Sequence, residues 1–388
     1  FRLLAESLKH DTSLSWQGTL NEKDGISGTL KAQNLQPEIL KSFVWKNGVD
    51  LKSVSSSVKG ILSLQNKVNA DNKKELFYAF QDGLLTFEKP QISTTKSLQL
   101  SADNLQFSSF NYNRGNTPEG KLRLQNAEIS VSSARLSKLF TPFIRGNKNL
   151  IQEMDINGTL TIKDKDNNPT LVFNKFFLTT EPDKKEPSKQ KITFKGYTEN
   201  NGEINAIGPV TLSPLAMSLS LSFDNIETKS FLPLLSSNPV ARYSHSIIKG
   251  KGKYSFPQSG FYGSVETTDS EIKTEDKTLL SWKKADFSTV IYKSAPFSFR
   301  VEKIDIDQPV LTWDKTGSRS IPPDAFSDYL NTIVPIANLP KNSSKYKYPF
   351  YRFKQINLIN GELFVKDENN PEQPAHYTNL KGSINSSQ

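Results

Sequence analysis

Apolar residues in this chain recur at every second position, segment after segment. The cleanest case is Met217, Leu219, Leu221 and Phe223 set against Ser218, Ser220 and Ser222. Successive side chains of a strand point to opposite faces, so this pattern dictates an extended segment with one greasy face and one wet face. A fold assembled from such segments is mainly β. Each greasy face must then be covered by another sheet, a helix or a ligand.

The same grammar fills residues 296 to 386. Phe297, Phe299 and Val301 alternate with Ser298, Arg300 and Glu302; the phase then slips at Lys303, and Ile304 and Ile306 continue against Asp305 and Asp307. A slip of one sends later side chains to the other face unless an extra residue absorbs it, so a β-bulge is expected near Lys303. A second run carries Tyr351 and Phe353, a slip, Ile356 and Leu358, then Asn360-Gly361, Leu363 and Val365. Asn-Gly between alternating runs predicts a hairpin. Further turns are expected at Asp24-Gly25, Asp82-Gly83, Lys89-Pro90 and 164 to 169, and a flexible charged loop with two prolines at 181 to 190.

A short box recurs between these runs. LKAQNLQ, LSADNLQ, LRLQNAE and LSFDNIE place Asn34, Asn104, Asn126 and Asn225 at their fifth positions. Three of the four lead into helix-like runs at 39 to 43, 136 to 144 and 231 to 235, the first opened by Pro37, whose missing N–H costs nothing in a first helical turn. The spacing, roughly 90 to 100 residues, is that of a quasi-linear array whose units touch only their neighbours. Three segments follow from it: 1–115 with a short helix near 37–46, 116–210 with one near 135–145, and 211–388 with two, near 228–236 and 323–334.

Composition narrows the function classes. With no Cys there is no disulfide framework and no thiolate metal site, and the redox compartment stays open. No run of about 18 apolar residues exists to form a membrane-crossing helix. Starting at Phe1 and stopping in mid-pattern at Gln388, the sequence is expected to be a piece of a larger protein. Apolar content of 35% is low for a compact globule of 388 residues, yet Phe is abundant at 24, which fits a thin β structure with a narrow apolar strip. A net charge of +9 favours anionic surfaces in general and names no partner.

Catalytic residue supply is poor. His10, His245 and His376 lie far apart in sequence, no Ser sits in a nucleophile elbow, and no thiol exists, so neither an enzyme nor a cofactor is expected. Asp164, Asp166 and Asn168 resemble the start of a calcium loop, but its glycine and distal Glu are missing, and a polar hairpin turn is the better reading. Asn157 and Asn342 match a glycosylation pattern short enough to arise by chance. The stretch 341–354 interleaves Lys and Arg with Tyr and Phe, as single-stranded nucleic-acid sites do. It reads better as an amphipathic edge strand whose lysines discourage edge pairing, and no nucleic-acid partner is expected. Contact of this stretch with anionic lipid headgroups is a third possibility.

Two patterns carry a resemblance. Ile304, Ile306, Pro309 and Val310 form the first; Gly361, Phe364, Asp367, Pro374, Leu380 and Gly382 to Ile384 form the second. Their order resembles the AsmA-like group of bacterial envelope proteins, and within it the large inner-membrane-anchored members related to AsmA and TamB, over about the last quarter of the chain. The resemblance implies an elongated, repetitive antiparallel β-groove with a few short helices. It implies a periplasmic segment of a bridge that carries phospholipid or another diacyl lipid between inner and outer membranes, with membrane proteins at the ends of the parent chain.

Alternation supplies the candidate groove lining: Leu219, Leu221, Phe223, Phe297, Phe299, Val301, Ile304, Ile306, Phe353, Ile356 and Leu358. It assigns each of them equally well to a packed core or to a lipid-facing surface. The rival expectation is an envelope scaffold or assembly chaperone with a closed β core and no lipid.

Overall fold

The computed structural model describes residues 2–7, 12–21, 25–35, 49–68, 74–94, 98–113, 119–132, 144–145, 148–149, 151–164, 168–182, 189–212, 215–230, 245–257, 260–273, 278–294, 297–314, 350–367 and 370–385. Almost all of these residues lie in strands, so the chain is mainly β as its alternation dictates. The first strands are β1 (Arg2–Ser7), β2 (Thr12–Asn21), β3 (Gly25–Gln33), β4 (Val49–Lys52), β5 (Ser55–Val68), β6 (Lys74–Glu88), β7 (Gln91–Thr94) and β8 (Leu98–Ser101). There follow β9 (Asn104–Asn113), β10 (Glu119–Ser132), the two-residue pair β11 (Ile144–Arg145) and β12 (Lys148–Asn149), β13 (Ile151–Lys163), β14 (Pro169–Pro182), β15 (Gln190–Thr198) and β16 (Glu203–Leu212). The last are β17 (Leu215–Glu227), β18 (His245–Phe256), β19 (Gly260–Lys273), β20 (Thr278–Ser294), β21 (Phe297–Asp307), β22 (Val310–Asp314), β23 (Phe350–Asp367) and β24 (Asn370–Asn385).

Of the short helices expected from sequence, the described residues hold one 3-10 turn, Thr228–Ser230, and at Ile144–Arg145 they hold a strand. The remaining stretches, 37–46, 135–143, 231–236 and 323–334, lie outside the described residues. By compactness the chain divides into two units, one of Phe1–Ile162, Val172–Gly196 and Gly208–Ala216, the other of Lys163–Leu171, Tyr197–Ile207 and Met217–Gln388. The three segments expected above follow sequence repetition, not compactness.

In the first unit, β2 pairs antiparallel with β1 and β3, and pairing continues from β3 through β5, β6 and β9 to β10. A second path runs β4, β7, β8 and returns to β10. β10 serves both, facing β9 up to Gln125 and β8 from Glu128 onward. The changeover is Asn126, whose φ of 52° lies in the left-handed region. Corners at Val54, Lys89 (φ 45°) and Asp103 fall on the same crease, stitched by Val54 N–H to Glu88 O, Lys89 N–H to Asp103 O and Asp103 N–H to Gln125 O. The Asn126 side chain adds a 2.7 Å bond to Asp103 Oδ2. Inside the fold, the rows Phe87–Leu105–Leu124 and Leu85–Phe107–Leu122 form a sealed core, with Phe87, Leu105 and Leu124 all at 0% exposure.

The crease explains the recurrent box. Asn34, Asn126 and Asn225 take φ of 54°, 52° and 53°, and Asn104 opens β9 just after the Asp103 corner. Asn tolerates the left-handed conformation better than other non-glycine residues, and here the Asn225 amide also donates across to Asn200 O at 2.8 Å. The repeated motif is thus a strand-bending signal.

In the second unit, β17, β18, β19, β20 and β21 pair antiparallel in sequence order. β23 then pairs parallel with β21 and β22, and antiparallel with β24. This departs from the purely antiparallel expectation. A parallel neighbour needs a crossover of a dozen or more residues, and residues 315–349 between β22 and β23 are ample.

Three local expectations are corrected. Asn360-Gly361 is no hairpin: β23 runs straight through it, with Asn360 at φ 55°, and exchanges β21 for β22 as partner there. Gln308 N–H to Ile359 O and Glu362 N–H to Pro309 O hold the exchange. Asp82-Gly83 likewise sits inside a continuous β6, Asp82 at φ 49°. Left-handed Asn or Asp before Gly suits a bulge as well as a primed turn, and distant pairing chooses between them. The slip at Lys303 is real, but β20, β21 and β23 slip together and stay in step: Val301 faces Val290 and Phe353, Ile304 faces Phe287 and Ile356. The extra residue is absorbed one strand away, where Gly263 faces Val290 but Val265 faces Phe287, around left-handed Thr289. At the expected Asp24-Gly25 turn, Asn21 stands opposite Gly25 across the antiparallel β2–β3 pair, and Asp24 lies outside the described residues.

Candidate functional site

The candidate lining residues come from three separate stretches of chain, and register brings ten of them onto one face of the second unit's sheet. One row reads Leu219, Tyr254, Phe261, Tyr292, Phe299; the next reads Leu221, Gly252, Gly263, Val290, Val301, Phe353. The third reads Phe223, Gly250, Val265, Phe287, Ile304, Ile356, and beyond it Ala285 faces Ile306, which faces Leu358. Phe297 opens β21 opposite Ser294, and its side chain is outside the described set.

Exposure varies along this face. Val290, Val301 and Ile304 form a buried centre at 5%, 1% and 4%, with Phe261, Phe287, Phe299 and Phe353 packed on it. Leu219, Leu221, Phe223, Phe299, Ile306, Phe353, Ile356 and Leu358 are half-buried. Toward β24 the cover thins further, and Ile384, opposite Ile356, is 61% exposed. A sheet-on-sheet interior seals such residues, as the first unit does with Phe87 and Leu105.

Alternation in sequence misses half of the rows. β18 reads HSIIKGKGKYSF, so its apolar-face positions are Gly250 and Gly252, which register as nothing in a hydrophobic pattern. Their bare backbones are roofed by neighbouring rings: a Cβ on Gly250 would lie 2.5 Å from Phe223 Cζ, and one on Gly263 2.7 Å from Phe261 Cζ. The available signal was Lys249, Lys251 and Lys253, whose alternation fixes the opposite face. Phe223 and Phe261 approach at 6.5 Å between ring centroids, and Phe299 meets Phe353 edge-on at 6.2 Å. Burial pushes the Tyr292 hydroxyl above its ordinary range, with nearby Tyr254 adding to the effect.

The reverse face is polar, and its charges segregate along the strands. At one end Lys249 pairs with Asp224 at 3.2 Å, Lys284 with Glu266 at 2.8 Å and Asp286 at 3.4 Å, and Lys303 with Asp305 at 2.6 Å. Lys284 holds Glu266 below the usual carboxylate range, and Lys303, helped by Asn357, does the same for Asp305. Asp224, Lys249, Glu266 and Asp286, together with Glu203 and Lys251, line a depression of about 460 Å³. In the 341–354 stretch, only 350–354 are described; Phe353 joins the apolar face and Lys354 pairs with Glu302. Among the described residues no group of three His, Cys, Asp or Glu is disposed to hold a metal ion. Asp164 Oδ1 accepts the Asn168 N–H at 2.9 Å, and Asp166 lies outside the described residues.

No family model, curated protein or solved structure matches the chain.

Proposed function

We propose that the second unit's apolar face shelters the acyl chains of a phospholipid or other diacyl lipid, as a periplasmic segment of a lipid-carrying bridge between inner and outer membranes. The observation that carries the reading is partial exposure: eight aligned apolar side chains on one face are half-buried, around a buried centre. An uncovered apolar strip of this extent in water is an aggregation hazard, and an alkyl chain laid on it removes that area from water at about 25 cal/mol per Å². In this reading the sheet curves into the groove expected for the AsmA-like group. Lipid moves along the face without chemistry, because these rows carry no charged side chain, their polar atoms being the Tyr254 and Tyr292 hydroxyls, and the charged groups lie on the reverse.

The test is the organic extract of the purified chain, analysed by mass spectrometry. Phospholipid is expected, and its loss in the Leu221→Asp, Phe299→Asp double variant with the β circular dichroism retained; a wild-type extract empty of lipid removes the proposal. A scaffold with a closed core is the second reading. It is favoured by the first unit, where Phe87, Leu105 and Leu124 have no exposure left for a ligand.

A further inference from the structure

β24 is an outer strand of the second unit's sheet. Among the described residues it pairs with β23 alone, and from Ala375 to Asn385 it is exposed on both faces. Register fixes which of its side chains join the apolar face. Ile384 stands opposite Ile356 and Gly382 opposite Leu358; Leu380, two residues further along, faces Gly361, because β23 takes the extra residue there. Leu380 and Ile384 are 38% and 61% exposed, on the side of the sheet where Val301 and Ile304 are buried.

Gly382 marks where cover is lacking. Elsewhere on this face a bare glycine lies under a ring: a Cβ on Gly250 would be 2.5 Å from Phe223 Cζ, and one on Gly252 2.7 Å from Phe261 Cζ. A Cβ on Gly382 meets nothing within 4 Å. The outer side of the strand presents the backbone donors and acceptors of an unpaired edge. Of the devices that blunt such an edge, proline is absent after Pro374, and the lysine at Lys381 points to the reverse face.

This edge is complementary to itself. Laid antiparallel on a second copy about Gly382, Leu380 faces the copy's Ile384, Gly382 faces Gly382, and Lys381 on the reverse face meets Ser383. The copy's Leu380 and Ile384 then lie diagonal to Gly382, about 7–8 Å away, close enough to roof it. Slipping the pairing by one residue turns the copy's apolar face to the opposite side, and slipping it by two toward the start of β24 sets Lys381 against Lys381.

We infer that two copies of this chain join edge to edge through β24, antiparallel about a two-fold axis at Gly382. The axis is perpendicular to the sheet, so both apolar faces lie on one side of the join. The contact itself uses the backbone edge and holds whether or not that face shelters lipid. An isologous contact closes at two copies. The paired stretch, Leu380 to Ile384, is short of the area that a permanent complex buries, so the association is weak and depends on concentration.

The chain has no cysteine, so Gly382→Cys introduces its sole thiol, at a position open to a side chain. Directly opposed residues of an antiparallel pair lie about 4.5–5.5 Å apart between Cα atoms, within the span of a disulfide. Diamide oxidation of the whole chain should convert this variant to a covalent dimer and leave Thr378→Cys, on the same strand, monomeric. Sedimentation of the cysteine-free chain should show a monomer–dimer equilibrium. Ser383→Glu sets an acid against Lys381 twice in the dimer and should tighten it about fivefold; Ser383→Lys should weaken it about fivefold, and Thr378→Lys should change it less than about twofold. A chain that stays monomeric at every concentration, or oxidation that links both cysteine variants alike, overturns the inference. So does growth past the dimer, which marks an open-ended contact between unlike surfaces, or an association that ignores both Ser383 variants, which marks unregistered contact of apolar faces. A chain that dimerises but yields no extracted lipid keeps this edge and loses the sheltering face; one that yields lipid and stays monomeric does the reverse.

Discussion

Truncating Ile304 and Leu221 separately distinguishes an open apolar face from a sealed one. Ile304 is 4% exposed, wedged in its row between Phe287 and Ile356. Ile304→Ala deletes three buried carbons at about 0.8 kcal/mol each, and the cavity left among rigid rings adds to that, for about 3 kcal/mol in all. Leu221 is half-buried with bare Gly252 beside it, so Leu221→Ala forfeits part of a smaller burial and leaves a dent open to solvent, about 1 kcal/mol. At about 2–4 °C per kcal/mol for a unit of this size, thermal unfolding of delipidated protein should fall by about 6–12 °C for Ile304→Ala and about 2–4 °C for Leu221→Ala. Adding back phospholipid should raise the wild-type midpoint, since a ligand bound only to the folded state stabilises it, and Leu221→Ala should shrink that rise. Equal costs for the two variants in delipidated protein, with no lipid-dependent shift in the wild type, would refute the reasoning and leave a closed core.

Three further outcomes follow from the geometry. Asn126→Gly and Asn126→Ala both lose the bond to Asp103, but only alanine is also forced into left-handed backbone, so the Ala variant should be about 1–2 kcal/mol less stable in urea than the Gly variant. Gly252→Val places a Cβ 2.5 Å from Tyr262 O, against backbone that cannot step aside, and should cost at least about 1–3 kcal/mol in the same assay. Lys303 lowers the Asp305 pKa in the folded chain, so the pair's stabilisation is complete above the ordinary carboxylate range and is lost as pH falls through the folded value. Asp305→Asn should therefore lower stability at neutral pH by under about 1 kcal/mol, leave stability below the folded value nearly unchanged, and so flatten the acid limb of a stability–pH curve by the same amount; an acid limb as steep as the wild type's would refute the pairing.

What was legible in the sequence was strand direction and face, and what was not was partnership. Leu219, Leu221 and Phe223 announce one greasy side because a strand's period is two and nothing nearby disturbs it. The same rule finds Phe299, Val301, Ile304 and Ile306, even across a phase slip. It cannot tell which strand shares the slip, because that depends on Ser288 and Thr289 in a different strand. Nor does hydrophobic alternation find Gly250, Gly252 and Gly263, which belong to the apolar face while contributing no hydrophobicity of their own; Lys249, Lys251 and Lys253 mark the face opposite Gly250 and Gly252, and the roofing by Phe223 and Phe261 shows the role.

Asn-Gly at 360 and Asp-Gly at 82 misled for a related reason. Left-handed backbone is a local property, and both a hairpin and a bulge satisfy it, so the outcome turns on whether a partner strand continues alongside. At 360 one does: β22 takes over where β21 ends, and Pro309, lacking an N–H of its own, still accepts the Glu362 N–H. The chain therefore spends its turn-forming residues on bending long strands as well as on reversing them. That use is what aligns side chains from residues 219 to 358 on a single face, and both proposals above rest on that one sheet, its apolar face and its open edge at β24.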